Sequence, residues 1–410
     1  MKKKWLWVGQ RLSDGIMYSR ALNDLDVFFS CDSLKCSSPS FVSYSLPTDS
    51  SAANEQHKWT SKDISKTVSC HADTINKYLV DNYRVFPYYL SSDSLDKISC
   101  TDSIFNKNVF NNQLSRSVQM YLCTQSSVRT PRWTMPYNTN WNDLTALLGS
   151  VIVLQFDNTS SGLGTFVVHN EKEYKWFCDF YGQADLATEY LDMGYSCSTH
   201  LWITKDSIAI SPASIQIIEC FNFRENMGIK TFAFKGNDFG FYNQVIGANS
   251  DIEGQLYKIA SIYQKAGIWG LVGVDYIVKD FKFYYTETNF RLQNSTALLS
   301  FIQPTNSGNI VNCLMPGFLE FSNAGCAFQY FTSVPVVHLE SGYYNKAGKY
   351  IGHVNDPVPN AKENYLVFCN MPIASTQQLR VIGFDIGCVG TGSINEGLKK
   401  FMERLVAAHG

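Results

Sequence analysis

The sequence points to a mixed α/β (α+β) fold, on three observations. First, Trp5-Leu6-Trp7-Val8, a helix-like stretch to Arg20 and Asp26-Val27-Phe28-Phe29 read as strand, helix and strand, the start of a βαβ unit. Second, Val151–Phe156 and Phe166–Val168 are apolar runs of strand length around Asp157–Thr165, a segment of Ser, Thr and Gly, which makes a glycine-rich hairpin. Third, the helical pattern Asp251–Ala266, with Ser250 as N-cap, leads into strands Gly270–Val278 and Phe281–Thr288, separated by Lys279-Asp280.

Composition sets the frame for these elements. A chain of 410 residues holds two to three units at about 150 residues each. Its 45% hydrophobic and 17% charged residues, against a usual charged share of about 25%, exclude a disordered tail. The formal charge of −2 gives no global field for nucleic acid or an anionic membrane. The apolar stretch after Lys2-Lys3-Lys4 ends at Gly9, short of the roughly 7 to 15 residues of a signal h-region, so secretion is not expected. The longest apolar run, Ala266–Val278, carries Asp275 and falls short of the roughly 18 to 20 residues that span a bilayer. A cytoplasmic protein is expected. The twelve cysteines stand singly, without CxxC or zinc spacing, and read as reduced thiols.

The remaining elements follow in chain order. Cys31–Gln56 turns to Ser, Pro and Asp and reads as an irregular connection. Helical spacing covers Ile64–Tyr83, strand-forming residues Arg84–Leu90, and helical spacing again Phe105–Leu122, with a unit boundary near 105–115. Glu171–Tyr181 reads as a helix, Ala187–Leu191 as a strand, and Thr199–Thr204 with Ser207–Ile210 as a second hairpin. From about 309 onward a Gly- and Asn-punctuated β pattern closes with a helix at Ser393–Ala408, and no repeat of 20 to 50 residues is visible.

Chemistry enters at the two hairpins. A Ser/Gly loop between strands can close over a triphosphate, because glycine lets backbone amides reach the oxygens; an ordinary hairpin with a polar tip has the same composition. In Tyr284-Tyr285-Thr286-Glu287-Thr288-Asn289-Phe290-Arg291, residues 287, 289 and 291 alternate and share one face. Asp275 comes alongside if its strand pairs antiparallel with this one. Two carboxylates and an amide oxygen are hard ligands suited to Mg²⁺, and Arg291 adds a bidentate phosphate contact. A salt-bridged solvated face is the alternative, which the apolar neighbours Val274, Ile277, Tyr284 and Phe290 oppose. No histidine or cysteine stands in a nucleophile frame such as G-x-S-x-G. His200 and His338 read as structural, with a minor place for His200 as a substrate contact at the cleft edge. Lys235 and Arg224 are candidates for a substrate carboxylate or are solvated loop charges.

At these residues the sequence resembles the ATP-grasp superfamily. VIVLQFDNTSSGLGTFVV at 151–168 looks like that family's strand, glycine-rich lid and strand. GLVGVDYIV and FYYTETNFRLQNST, within 270–296, look like its metal-binding strands with the E-x-N-x-R signature. Thr199–Ile203 and Ser211–Gln216 look like the subgroup that makes peptide and amide bonds in natural-product biosynthesis. The resemblance covers roughly 110–300, and Trp5–Phe29 is similar to the βαβ pre-grasp domain.

The resemblance implies the following roles. Glu287 and Asn289 match metal ligands, Asp275 their acidic partner, and Arg291 the phosphate-contacting arginine. Ser160, Ser161, Gly162 and Gly164 match the lid. Gln155 and Gln113 stand where relatives place lysines against nucleotide phosphates. Glu189-Tyr190-Leu191-Asp192 resembles the hinge whose backbone reads adenine, and Asp192 lies nearest the expected ribose-binding acid. The implied arrangement is a pre-ATP-grasp βαβ domain at 1–110, a lid subdomain at 111–200, a metal-binding subdomain at 201–310 and a C-terminal extension at 311–410. The implied enzyme is a ligase that uses ATP and Mg²⁺ to activate a small carboxylate as an acylphosphate and join it to an amine. The resemblance also admits a carrier-protein thiol as acceptor, a peptide-modifying ligase, a homodimer, or a nucleotide-binding protein with altered catalysis.

Overall fold

The computed structural model describes residues 4–19, 24–32, 34, 41–46, 61–87, 98, 115–157, 159, 162, 164–222, 228–299, 327–356, 359–360, 362–373, 375–384, 388–389, 393–394 and 396–410. The opening βαβ unit is present. β1 (Lys4–Gly9) pairs in parallel with β2 (Leu25–Ser30) and β4 (Tyr83–Pro87), and β3 (Val42–Ser45) adds to β2, in the order β3-β2-β1-β4. Helices α1 (Leu12–Ser19) and α2 (Ser61–Val80) pack against it. Leu6, Trp7, Val8, Phe28 and Phe29 are fully enclosed there, because strands of a parallel sheet covered by helices lose solvent on both faces.

Among the described residues fifteen further strands join one larger sheet, and Cys388–Val389 pairs antiparallel with Ser393–Ile394 in a separate two-stranded one. After α3 (Arg116–Gln125), β5 (Trp133–Thr134) and α4 (Trp141–Leu148) come β6 (Ile152–Gln155), β7 (Thr165–Val168), α5 (Glu171–Tyr181) and β8 (Leu186–Glu189). β6 and β7 pair antiparallel, as the glycine-rich pattern requires. Then follow β9 (Tyr195–Ile203), β10 (Ile208–Ile210), β11 (Ser214–Asn222), β12 (Lys230–Asp238), α6 (Phe239–Val245) and α7 (Ser250–Lys265). The N-cap of α7 is Asn249 and not Ser250: Asn249 accepts from the amides of Asp251 and Ile252, and its amide can reach these where the shorter serine one residue later sits inside the first turn.

β13 (Gly270–Lys279) and β14 (Lys282–Asn289) form an antiparallel hairpin. Its turn is Asp280-Phe281, one residue later than expected, with both residues left-handed at φ 50° and 57°. Two consecutive left-handed residues give the twist that a two-residue hairpin demands. The chain closes with α8 (Asn294–Leu298), β15 (Phe328–Val334), β16 (Gly342–Asn345), β17 (Tyr350–His353), β18 (Asn364–Ile373), β19 (Thr376–Gly383) and α9 (Glu396–His409). The sheet runs β14-β13-β9-β11-β12-β15-β19-β18-β16-β17, and β7 joins β12 at the side, so the glycine-rich hairpin and the β13–β14 hairpin are carried on one connected frame.

Candidate functional site

The pairing of β13 with β14 puts Asp275 directly opposite Glu287 and Gly273 opposite Asn289. Asp275 is held by side-chain amides from its neighbours. Asn289 Nδ2 donates to its Oδ2 at 2.9 Å, and Gln216 Nε2 and Gln293 Nε2 donate to its Oδ1 at 3.0 and 3.4 Å. Ser196 and Ser198 donate in turn to Gln216 and Gln293, at 2.6 and 3.1 Å. Gln293 can lie across β13 only because residue 273 is glycine: a Cβ there would stand 2.1 Å from Gln293 Cδ. Burial, and then the charge of Glu287, pushes the Asp275 carboxyl up to about 6. Hydrogen bonds from Ser198 and Gln293 and the charge of Arg291 work against that rise.

The donor set suits a hard divalent cation. Two carboxylates face each other across the hairpin, and Asn289, by giving its Nδ2 to Asp275, keeps its Oδ1 for another partner. No group of three His, Cys, Asp or Glu able to hold a metal occurs among the described residues. The side chains here that could hold such a cation are Asp275, Glu287 and the Asn289 amide oxygen. Arg291 follows at the end of β14, half-buried, its Nη1 donating to the Leu292 carbonyl at 3.2 Å.

Arg116 is the residue that the sequence reading missed. It opens α3 behind the N-cap Ser115 and is nearly enclosed, its side chain 8% exposed. Its Nη2 meets Glu287 Oε2 at 3.1 Å and the Thr159 carbonyl at 3.2 Å. Its Nη1 donates to the Phe156 carbonyl and, at 3.2 Å, to the Thr159 hydroxyl, while its backbone amide donates to Asp157 at 2.8 Å. Arg116 thus joins the base of the glycine-rich hairpin to the carboxylate of β14. Its Nε has no partner among the described residues.

The other expected residues fall as follows. Gln155 ends β6, half-buried, with a long 3.4 Å contact from Nε2 to the Thr165 hydroxyl. Gly162 has φ 83°, and a Cβ there would stand 2.7 Å from the Phe232 carbonyl, so glycine lets the hairpin lie against β12. The Gly164 carbonyl accepts from Phe156 N at 3.0 Å and closes the hairpin base. Ser160, Ser161, Gln113 and Arg224 lie outside the described residues. Glu189 is occupied: Arg132 donates to its two oxygens at 2.9 and 2.8 Å. Leu191 and Asp192 form a turn, with Gly194 N donating to the Leu191 carbonyl at 3.3 Å and Asp192 Oδ1 accepting from Met193 N at 3.0 Å. Lys235 is paired with Glu219 at 3.0 Å.

His200 is not at a cleft edge. It is buried on the central strand β9, its Nε2 2.8 Å from the Thr296 hydroxyl, and burial lowers its pKa to about 3. It supports the capping turn of α8, where Gln293 N donates to the same hydroxyl at 2.8 Å.

No protein-family model and no curated protein matches the chain. Solved structures do. An L-amino acid ligase from Bacillus licheniformis is similar at a TM-score of 0.53 and 11% identity, covering 99% of this chain and 97% of that one. The ADP complex of the N5-carboxyaminoimidazole ribonucleotide synthetase purK is similar at 0.51 and 10% identity, covering 99% and 96%. The biotin carboxylase domain of Hydrogenobacter thermophilus 2-oxoglutarate carboxylase, solved with MgADP, ADP and bicarbonate, is similar at 0.56 and 10% identity, covering 95% and 86%. Pyruvate carboxylase from Rhizobium etli is similar at 0.56 and 12% identity; the match takes in 95% of this chain and 36% of that longer one. With a parallel sheet ahead of a glycine-rich hairpin and a carboxylate-bearing hairpin on one frame, the chain has the ATP-grasp fold.

Proposed function

We propose that the protein is an ATP-dependent ligase that activates a carboxylate as an acylphosphate and joins it to an amine. The observation that carries this is the convergence of Asp275, Glu287 and Asn289 with Arg116 and the base of the glycine-rich hairpin. The nucleotides bound in two of the similar structures support ATP as co-substrate, and the MgADP in one supports Mg²⁺.

Mg²⁺ would be held by Glu287, Asn289 and Asp275, and when bound it supplies charge neutralisation at phosphoryl oxygens. Arg291 and Arg116 provide the protein's own cations beside these ligands. Arg116 would take the role expected of lysine at Gln155 or Gln113, which supports a working ligase over a nucleotide-binding protein with altered catalysis. The substrate carboxylate oxygen attacks the γ-phosphorus of ATP, ADP leaves, and an acylphosphate results. The amine then attacks the acyl carbon; the C–N bond forms, the C–O bond to phosphate breaks, and the amine proton leaves to solvent. The glycine-rich hairpin would cover the acylphosphate and keep water from it.

Glu287→Gln and Asn289→Ala should each lower turnover at least about a hundredfold while the protein still folds, with a stability loss of only about 1 kcal/mol, since charge placed for the transition state is worth far more to the rate than these surface-edge contacts are to the fold. The assay is ADP release in the presence of Mg²⁺ and mixed amino acids, with products identified by mass spectrometry. Full activity in Glu287→Gln would refute the metal assignment, and wild-type protein that binds ATP without any product would refute the ligase reading.

A further inference from the structure

The contacts of the Arg116 guanidinium divide by charge. Three of the oxygens it reaches, the Phe156 and Thr159 carbonyls and the Thr159 hydroxyl, are neutral and belong to the glycine-rich hairpin. The remaining one, Glu287 Oε2, is the oxygen of an expected metal ligand. A guanidinium at 3.1 Å from that carboxylate already supplies the positive charge that a divalent ion would bring. Asp275 is held by neutral side-chain amides alone, so Glu287 is the carboxylate of the pair whose charge a protein cation already meets. A cation arriving at Glu287 alone would therefore displace Arg116 or sit beside it, and like charges at such range repel.

We infer that Arg116 is a positioning residue that stands in for the metal at Glu287, so that divalent cation and nucleotide bind together and the free protein holds the cation weakly. This rests on the ligase reading for the identity of the nucleotide, but not for the competition at Glu287. A polyphosphate brings negative charge enough for both cations, and the fork of Arg116, whose Nε has no partner among the described residues, can then turn from Glu287 to a phosphate oxygen while the hairpin carbonyls keep their hold.

The opposite role is also testable. If Arg116 only orients Glu287, its removal weakens metal binding; if it stands in for the metal, its removal strengthens it. The experiment is titration of Mn²⁺ into the full chain without nucleotide, read by the electron-paramagnetic signal of free Mn²⁺, for wild type, Arg116→Gln and Arg116→Lys. Arg116→Gln should bind Mn²⁺ about three- to tenfold more tightly than wild type, the range set by a charge-assisted pair at a partly exposed carboxylate. Arg116→Lys, which keeps the charge, should stay within about twofold of wild type. Equal or weaker Mn²⁺ binding in Arg116→Gln overturns the inference, as does a gain in Arg116→Lys equal to that in Arg116→Gln. Wild type alone gives a check that needs no variant: ADP should tighten Mn²⁺ binding, and bound ADP without such tightening overturns the inference. ADP that binds under no condition would instead sink the ligase reading, and the nucleotide-free comparison would still decide the competition.

Discussion

Two of the arginine–carboxylate pairs that tie remote parts of this chain together are set apart by their surroundings. Arg116 meets Glu287, 171 positions on, at the edge of the site, with side chains 8% and 27% exposed. Arg380 of β19 meets Asp14 of α1, 366 positions away, with side chains 0% and 1% exposed. Arg380 also donates to the Gln329 side chain and, at 2.9 Å, to the Asn294 carbonyl at the start of α8. Its guanidinium lies 5.2 Å from the centre of the Phe331 ring, and Arg11 lies 4.6 Å from the same ring. Gln329 continues through Asn237 to Ser214, both links at 3.0 Å. Burial pulls the Arg380 pKa well below the usual arginine range, and the charge of Arg11 adds to that. The difference is one of exchangeability. A pair without solvent and surrounded by fixed dipoles has no other partner to take, whereas one beside a cleft can trade its partner for a ligand. The first parallel sheet is thus fastened to the larger sheet by a permanent pair, and the site is governed by one that can open.

Breaking each pair should expose this contrast, and the buried one gives the largest effect. Arg380→Met leaves Asp14 charged without water or partner and should cost about 3–5 kcal/mol of stability, as should Asp14→Leu; the double variant should recover most of that loss. Arg116→Gln should cost only about 1 kcal/mol, because Glu287 keeps part of its hydration. Urea unfolding of the four variants measures all of these. Equal losses at Arg380 and Arg116 would erase the distinction drawn here.

A smaller effect comes from pH, in the same corner as the permanent pair. Asp32 is buried and accepts from Leu12 N at 2.7 Å, capping α1 two residues ahead of Asp14, and burial raises its pKa to about 6. That hydrogen bond and the charge of Arg11 resist the rise. Between the unfolded value near 3.8 and the folded value near 6 the folded chain holds the extra proton. Stability from this group is therefore complete below about pH 3.8, falls as pH rises through about 6, and is level above. Roughly 2–3 kcal/mol is at stake. Asp32→Asn should flatten that slope in unfolding measured from pH 4 to 7.5, a span that takes in the fall toward about 6 and the level stretch above it. An unchanged slope would show that Asp32 ionises freely in the fold.

How far the sequence disclosed this arrangement depends on the range of the signal. The hairpins at 151–168 and 270–289 and the βαβ opening were legible, because alternation, glycine and apolar runs are local. The facing of Asp275 and Glu287 followed once antiparallel pairing was assumed. Arg116 was hidden by its own neighbourhood: helical spacing from Phe105 to Leu122 made it look mid-helix, whereas Ser115 starts α3 there and places the arginine against the hairpin. Its partner lies 171 positions on, and separation of that kind leaves no periodic trace. His200 misled for another reason. β9 is covered on both faces over most of its length, so its alternation does not tell cleft from core.

The smallest effect tests whether Arg116 has already replaced the cation expected at Gln155. Gln155 is half-buried at the end of β6, and its amide makes only a 3.4 Å contact with the Thr165 hydroxyl, so little local structure depends on it. Gln155→Lys should therefore leave the melting temperature nearly unchanged. Were the site short of one positive charge, a lysine here would tighten ATP binding by about 1–2 kcal/mol through a charge-assisted bond. With Arg116 poised between the hairpin and Glu287, the deficit is smaller, and a gain below about 1 kcal/mol, less than fivefold in affinity, is expected in the wild-type background. The same substitution on Arg116→Gln should give the larger gain, because there the lysine supplies the missing charge. Calorimetric ATP titration of the two single variants and the double variant yields the coupling directly. Equal gains in both backgrounds would mean that the two positions act on different parts of the nucleotide, and Arg116 would lose its claim to the lysine's role.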